Sequence, residues 1–291
     1  MAADICTQGL DTGFVELGYA KVAVLGVLQG ITELLPISST AHMRIVPALL
    51  GWRDPGSAFS AAMQLAALAA VLSYFWSDVR TLTVGSISAL VKLDFRDWYL
   101  RFVIWIALAT VPIVLFGIAL SPVLNACNSP LRGLVVIGVA SIVMAGLLAL
   151  AERYTRHERN MEEVTLKDAL IVGLAQAGAL IPGVSRSGST LTAALFLGLN
   201  REEAARFSFL LGVPAIALAG LKELYELHKA HLEIHGWLIL IFGLIIASLS
   251  AFVAIWGLLR ILENFSSWPF VFYRAFIGIV LLVGVAVGWL A

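Results

Sequence analysis

The chain has 291 residues, 60% of them hydrophobic and only 13% charged, with a formal net charge of zero. A soluble domain carries roughly 25% charged residues, so the composition excludes an ordinary soluble protein, and neutrality removes the electrostatic case for a nucleic-acid partner. The two cysteines, Cys6 and Cys127, lie far apart in sequence and give neither a disulfide framework nor a metal-ligand spacing.

Asp4, Asp11 and Glu16 stand where a signal peptide would need a basic region, so no signal peptide is expected. Apolar sequence begins near Gly18. The first long run, Val22–Leu50, is cut by Pro36-Ile37-Ser38-Ser39-Thr40-Ala41-His42. Three uninterrupted runs follow, Ala58–Trp76, Phe102–Ser121 and Leu131–Ala151. A second broken run, Leu166–Leu199, is cut by Pro182-Gly183-Val184-Ser185-Arg186-Ser187-Gly188-Ser189-Thr190. Three more whole runs close the chain, Ala204–Leu221, Gly236–Leu259 and Pro269–Leu290. The six whole runs have the length of a membrane span. The arms of the broken runs, about 14 residues each, are too short to cross alone and suit re-entrant hairpins over 22–50 and 166–199.

The broken runs resemble one another. Gly26-x-x-Gln29 precedes Pro36, and Gly173-x-x-Gln176 precedes Pro182; Phe59-Ser60 and Phe207-Ser208 follow the prolines by 23 and 25 residues. Each half, 1–151 and 152–291, therefore reads as one hairpin plus three spans. Three is odd, so the halves insert in opposite senses, as in inverted-repeat transporter folds. The expected fold is an all-α integral membrane protein: six transmembrane helices and two re-entrant hairpins in an inverted-topology repeat, forming one membrane domain.

Loop charge gives an orientation. Arg80, Lys92, Arg96 and Arg101 follow the first span, and Arg153, Arg156, Arg159 and Lys167 follow the third, so both loops are expected in the cytoplasm. The opposite loops carry only Arg53 and Arg132, then Lys222 and Lys229. Both termini then fall outside, the first hairpin enters from outside and the second from the cytoplasm.

Ionisable residues at membrane depth are costly and mark function by default. Gln29 and Glu33 are four apart and share a helix face; a carboxylate with an amide oxygen suits Mg²⁺ or Ca²⁺. Ser38, Ser39 and Thr40 supply hydroxyls, and His42 can handle a proton for one of them. In the second break, Ser185, Arg186, Ser187 and Thr190 combine a planar guanidinium with hydroxyls, and a glycine-containing loop opens a helix; together these suit phosphate. Counting six residues from each proline sets His42 against Gly188, and matching Gln29 to Gln176 sets Glu33 against Leu180. The first half thus holds acid and histidine, and the second holds the phosphate clamp. That division suits a catalyst that binds phosphate and moves a proton; a lipid-phosphate carrier is the alternative, since broken helices at mid-membrane also serve alternating access.

Gln29-Gly-Ile-Thr-Glu33-Leu-Leu-Pro36-Ile-Ser-Ser-Thr-Ala-His42 and Pro182-Gly-Val-Ser-Arg186-Ser-Gly-Ser-Thr190 resemble two motifs of the undecaprenyl-diphosphate phosphatase family, also called the bacitracin-resistance family. The likeness continues through Phe207-Ser-Phe-Leu-Leu and Tyr273-Arg274. It implies hydrolysis of undecaprenyl diphosphate to undecaprenyl phosphate and inorganic phosphate, which recycles the lipid carrier of bacterial cell-wall synthesis at the inner membrane. By motif position it implies an active site of Glu33, His42, Ser39, Arg186 and Thr190, with Arg274 matching the family's arginine in the last span. Gln29 stands where relatives often carry glutamate and removes one negative charge. The expected partners are the polyprenyl diphosphate and the bilayer, with a homodimer left open. The mechanism expected is attack on the terminal phosphorus by Ser39 or a metal-bound water.

Overall fold

Helices account for all regular structure among the described residues, which are 12–124, 131 and 133–290 of the computed structural model. The readings that rest on Asp4, Asp11, Cys6, Cys127 and Arg132 lie outside them. A 3-10 turn, Gly13–Leu17, leads into α1, Gly18–Leu34. Leu35 leaves the helix with ψ 145° because Pro36 follows, and a residue before proline is pushed out of the helical region. The chain turns through Ser38, at φ 73°, into α2, Ser39–Leu49. Next come α3, Ser57–Tyr74, α4, Trp76–Val91, α5, Trp98–Leu124, and α6, Leu134–Tyr154.

The second half opens with α7, Leu166–Ala177, started by a reciprocal cap between Thr165 and Asp168. A 3-10 turn, Gly178–Leu180, follows, and Ile181 is extended before Pro182. Ser185, at φ 70°, begins α8, Arg186–Phe196, and its hydroxyl accepts from the Gly188 N–H. Three long helices complete the chain: α9, Arg201–Lys229, α10, Ile234–Asn264, and α11, Trp268–Ala286.

Among the described residues, six helical segments are long and apolar enough to cross a membrane: Gly13–Leu34, Trp98–Val123, Leu134–Tyr154, Arg201–Lys229, Ile234–Asn264 and Trp268–Ala286. The total matches expectation, but the membership differs at two places. The expected span Ala58–Trp76 bends by 78° between α3 and α4, so it is one limb of a bent pair. The first arm of the first broken run is longer than expected, because the turn at Gly13–Leu17 buries Phe14 and Leu17 and extends α1 to 22 residues. Leucine, valine, isoleucine and phenylalanine crowd the outer faces, Leu115, Ile118, Leu249 and Phe272 among them, as the surface of a multi-pass membrane protein requires.

The packing between halves is crossed. α1 packs on α10, and α7 packs on α5; α6 pairs with α11, and α3 with α9. Close approach at small residues makes these contacts, since lipid offers no hydrophobic drive for helices to associate. A Cβ on Gly30 would meet the Ala247 carbonyl of α10, and one on Gly173 would meet the Ala109 backbone of α5. Ser250 Oγ adds a 2.8 Å hydrogen bond to the Val27 carbonyl. These contacts draw the two proline turns together in the interior.

Candidate active site

Glu33 is the centre of the contact between the two turns. It ends α1 one turn beyond Gln29, and only 5% of it is exposed. Gln29 Nε2 donates to its Oε2 at 3.0 Å, and Ser39 Oγ donates to the same oxygen at 2.5 Å. Its Oε1 accepts from Arg186 Nη2 of α8 at 3.1 Å. Residues 153 positions apart are thus brought into one ion pair. Removing one partner of such a buried pair strands the other charge, so each residue depends on the other for its place in the interior.

The turns are bound by further contacts. Ser187 Oγ lies 3.1 Å from the Glu33 carbonyl and 3.0 Å from that of Leu35. Arg274 reaches in from α11, with Nη1 donating to the Pro36 carbonyl at 2.9 Å and Nη2 to the carbonyls of Gly183 and Val184 at 2.8 and 2.9 Å. The guanidinium therefore ties both turns by their backbones. Thr190 faces back into the protein, bonded to the Arg186 carbonyl at 2.8 Å and to Ser208.

A cavity of about 190 Å³, room for several waters, opens between the turns. Its polar lining is Glu33, Ser38, Ser39, Thr40, Ser185, Arg186 and Gln64; Ile113, Leu180, Ile181 and Ile216 are among its apolar walls. The predicted residues Glu33, Ser38, Ser39, Ser185 and Arg186 therefore meet in one place. Ser187, Thr190 and Arg274 are not among the residues lining the cavity: Ser187 and Arg274 bond carbonyls of the two turns, and Thr190 bonds the Arg186 carbonyl of its own helix and Ser208.

His42 is also placed differently from expectation. It is buried on α2 with Nδ1 2.7 Å from the Ser38 carbonyl and Nε2 2.6 Å from Tyr273 Oη. A carbonyl can only accept, so Nδ1 carries the proton and Nε2 accepts from the tyrosine. The imidazole does not touch Ser39, whose hydroxyl proton points at Glu33. His42 lies one helical turn beyond Ser38, which places its Nδ1 on that carbonyl; between the halves, the second turn holds one residue more between proline and cap, so Ser38 matches Ser185, Ser39 matches Arg186, and His42 matches Ser189 rather than Gly188.

Gln64 and Gly212 escaped the sequence reading, and Tyr273 entered it only beside Arg274, with no role of its own. Gln64 had a signal, as a lone amide in the apolar run Ala58–Trp76. Tyr273 is the neighbour of Arg274 and carried none of its own. Gly212 follows Phe207 by five residues, as Gln64 follows Phe59. A Cβ on Gly212 would overlap the Arg186 guanidinium, so the absence of a side chain there makes the arginine's seat.

The sequence model of bacitracin resistance protein BacA matches residues 22–280. The chain belongs to this family. Undecaprenyl-diphosphatase 2 of Mesorhizobium japonicum is 72% identical over 264 residues, 91% of this chain and 100% of that protein. Undecaprenyl-diphosphatase of Trichormus variabilis is 49% identical, covering 95% of this chain and 87% of its own. That of Synechococcus elongatus is 48% identical, covering 93% and 94%. The BacA match spans both proline turns and the Tyr273-Arg274 pair that grips them.

Proposed function

We propose that this BacA-family chain hydrolyses undecaprenyl diphosphate to undecaprenyl phosphate and inorganic phosphate, with the diphosphate in the cavity between the turns and the polyprenyl tail in the bilayer. The observation that carries the assignment to this cavity is the convergence there of Ser39, Glu33 and Arg186. Ser39 Oγ, already donating to Glu33 at 2.5 Å, is the nucleophile. Its oxygen bonds the terminal phosphorus as the bond from that phosphorus to the bridging oxygen breaks. The proton passes to Glu33 Oε2, and undecaprenyl phosphate leaves. Water then releases the phosphate from Ser39. Arg186 offers its remaining donors to the phosphoryl oxygens, so that most of the rate comes from positioning and charge neutralisation. Rapid-quench labelling checks the serine route: a phosphoenzyme is expected, and its absence with solvent oxygen entering phosphate directly favours water as the nucleophile.

A divalent cation, Mg²⁺ or Ca²⁺, belongs to the same proposal. Gln29 donates through Nε2 and leaves its amide oxygen unbonded, so Glu33 and Gln29 offer hard oxygen ligands. Such an ion would neutralise diphosphate charge. The described residues hold no cluster of three acidic, histidine or cysteine side chains, so substrate oxygens and water would complete the shell.

The two halves are proposed to be an inverted repeat with the two proline turns as re-entrant tips. Support comes from the crossed packing of α1 on α10 and α7 on α5, and from the shared left-handed serines. With the basic loops in the cytoplasm, both termini face outward across the bacterial inner membrane. The same crossed packing favours a second reading, a polyprenyl-phosphate carrier. Detergent-purified protein given undecaprenyl diphosphate and a metal series decides between them. Release of phosphate that is lost in Arg186→Ala is expected; no release, with lipid-phosphate movement in vesicles, selects the carrier.

A further inference from the structure

Among the described residues, Gln64 is the only polar side chain lining the cavity that comes from neither turn. It projects from the middle of α3, whose serines Ser60 and Ser73 bond carbonyls of the preceding turn, whereas an amide there is costly and has a functional reason by default. Its amide makes no hydrogen bond to any described residue, whereas Glu33, Ser39 and Arg186 are all engaged with one another.

The placement has a counterpart in the other half. By helix register Ser39 matches Arg186, and by the Phe-Ser landmarks Gln64 matches Gly212. In the second half a long cation occupies the space of a missing side chain. In the first half the turn residue is short and the facing helix supplies the long side chain. Side-chain volume has changed places between turn and facing helix, so the cavity has a cationic fork on one side and a neutral amide on the other.

From this we infer that Gln64 is a direct ligand of the diphosphate, donating through Nε2 to a phosphoryl oxygen across the cavity from Arg186. The inference rests on the diphosphatase reading above. A neutral amide suits the position because it can donate to an anion without competing with Arg186 for Glu33.

Gln64→Met keeps length and helix preference and removes the donor. With the full chain in detergent, kcat/KM for undecaprenyl diphosphate is expected to fall about tenfold, the loss of one hydrogen bond to a charged acceptor. The thermal midpoint stays put, since no protein partner is lost, and inhibition by inorganic pyrophosphate weakens by a similar factor. Gln64→Glu, nearly isosteric, places a negative charge against the diphosphate and is expected to cost more than methionine. Methionine within twofold of wild type in both assays overturns the inference. So does a glutamate variant as active as wild type, which would mark a metal ligand instead. If the methionine variant does not fold, the glutamate variant decides alone. Wild-type protein that releases no phosphate rejects the underlying reading, and the assignment of Gln64 falls with it.

Discussion

The turn that joins α1 to α2 and the turn that joins α7 to α8 are built alike and equipped differently. Each leaves its first helix before a proline and enters its second through a serine at positive φ, 73° at Ser38 and 70° at Ser185. Phe59 and Phe207, the landmarks that follow, are both fully buried. The acid and the proposed nucleophile belong to the first turn, and the cation to the second. The lesson extends to the paired glutamines. Gln29 has Glu33 one turn on and bonds it, whereas Gln176 has Leu180, and neither atom of its buried amide has a partner among the described residues. The two turns share a backbone path, but Glu33 belongs to one and Arg186 to the other.

The sharpest way to break this division is to remove the cation. Arg186→Ala is expected to lower turnover about 10²–10³-fold, as loss of a donor to developing phosphoryl charge does. It also strands Glu33, so the thermal midpoint falls. Adding Glu33→Gln should restore part of the midpoint and none of the activity. Recovery of activity in the double variant would mean that the ion pair is structural only.

The second effect tests the seat rather than the cation. Gly212→Ala sets a methyl group on the Arg186 guanidinium, which then has to move. Displacement of a positioning group by an ångström costs on the order of 10²-fold. Turnover is therefore expected to drop steeply while Glu33 and Arg186 are both present. An unchanged rate would show that Arg186 reaches substrate from elsewhere.

These two residues also mark what could be read from sequence. Arg186 was legible because a guanidinium inside an apolar run is costly and calls for an acid or an anionic ligand nearby. The helical class and the two proline breaks were legible because composition and interruptions are local; the total of six spans agrees only because Gly13–Leu34 takes the place of the bent Ala58–Trp76. The bend between α3 and α4 was not legible, since Phe75 offers neither proline nor glycine as a signal. Gly212 was invisible because its use lies in the space it leaves for a residue of another helix. The orientation of His42 was likewise hidden, because its partner Tyr273 is 231 positions away. Counting from the prolines misplaced its counterpart by one, since the extra residue in the second turn is absorbed before the helix starts.

Tyr273 gives the next effect in size. A hydroxyl from a distant helix holds His42 of the first half, so Tyr273→Phe, which keeps the ring, tests whether His42 needs the hydroxyl. A fall in the thermal midpoint is expected, since the buried His42 Nε2 loses its donor at a cost of about 1–3 kcal/mol. The change should vanish in a His42→Ala background. Additive losses would separate the two residues.

The turns can also be compared through their strained serines. A non-glycine residue at positive φ costs about 1–2 kcal/mol. The Ser38 side chain makes no capping bond, so Ser38→Gly is expected to raise stability by about 1 kcal/mol. Ser185 caps the Gly188 N–H, and glycine there forfeits that bond while relieving the same strain, for a net change near zero. Thermal melts of the two variants check the difference, and equal shifts would refute it.

The smallest effect lies at the base of the second hairpin, outside the spanning helices, where a buried carboxylate stands in place of the exposed Glu16–Arg53 pair at the base of the first. Arg159 Nη2 meets Asp168 Oδ2 at 2.7 Å, and the Thr165 N–H and hydroxyl donate to the same oxygen at 2.9 and 2.8 Å. Burial alone would raise the carboxyl, but the Arg159 and Thr165 hydrogen bonds together outweigh it and hold Asp168 below its ordinary value of 3.8. A carboxylate depressed in the folded protein contributes stability that is complete above the ordinary value and is lost as pH falls through the folded one. Asp168→Asn should therefore lower the midpoint slightly at neutral pH, and the gap to wild type should close as the pH falls below about 4. Because α1 starts without any side-chain cap and its Glu16–Arg53 pair is exposed, where such a pair is worth little, the acid-sensitive part of the melt should belong to the second hairpin. Hydrogen exchange that rises first in α7 at low pH would show it, and equal loss of protection in α1 and α7 would refute it.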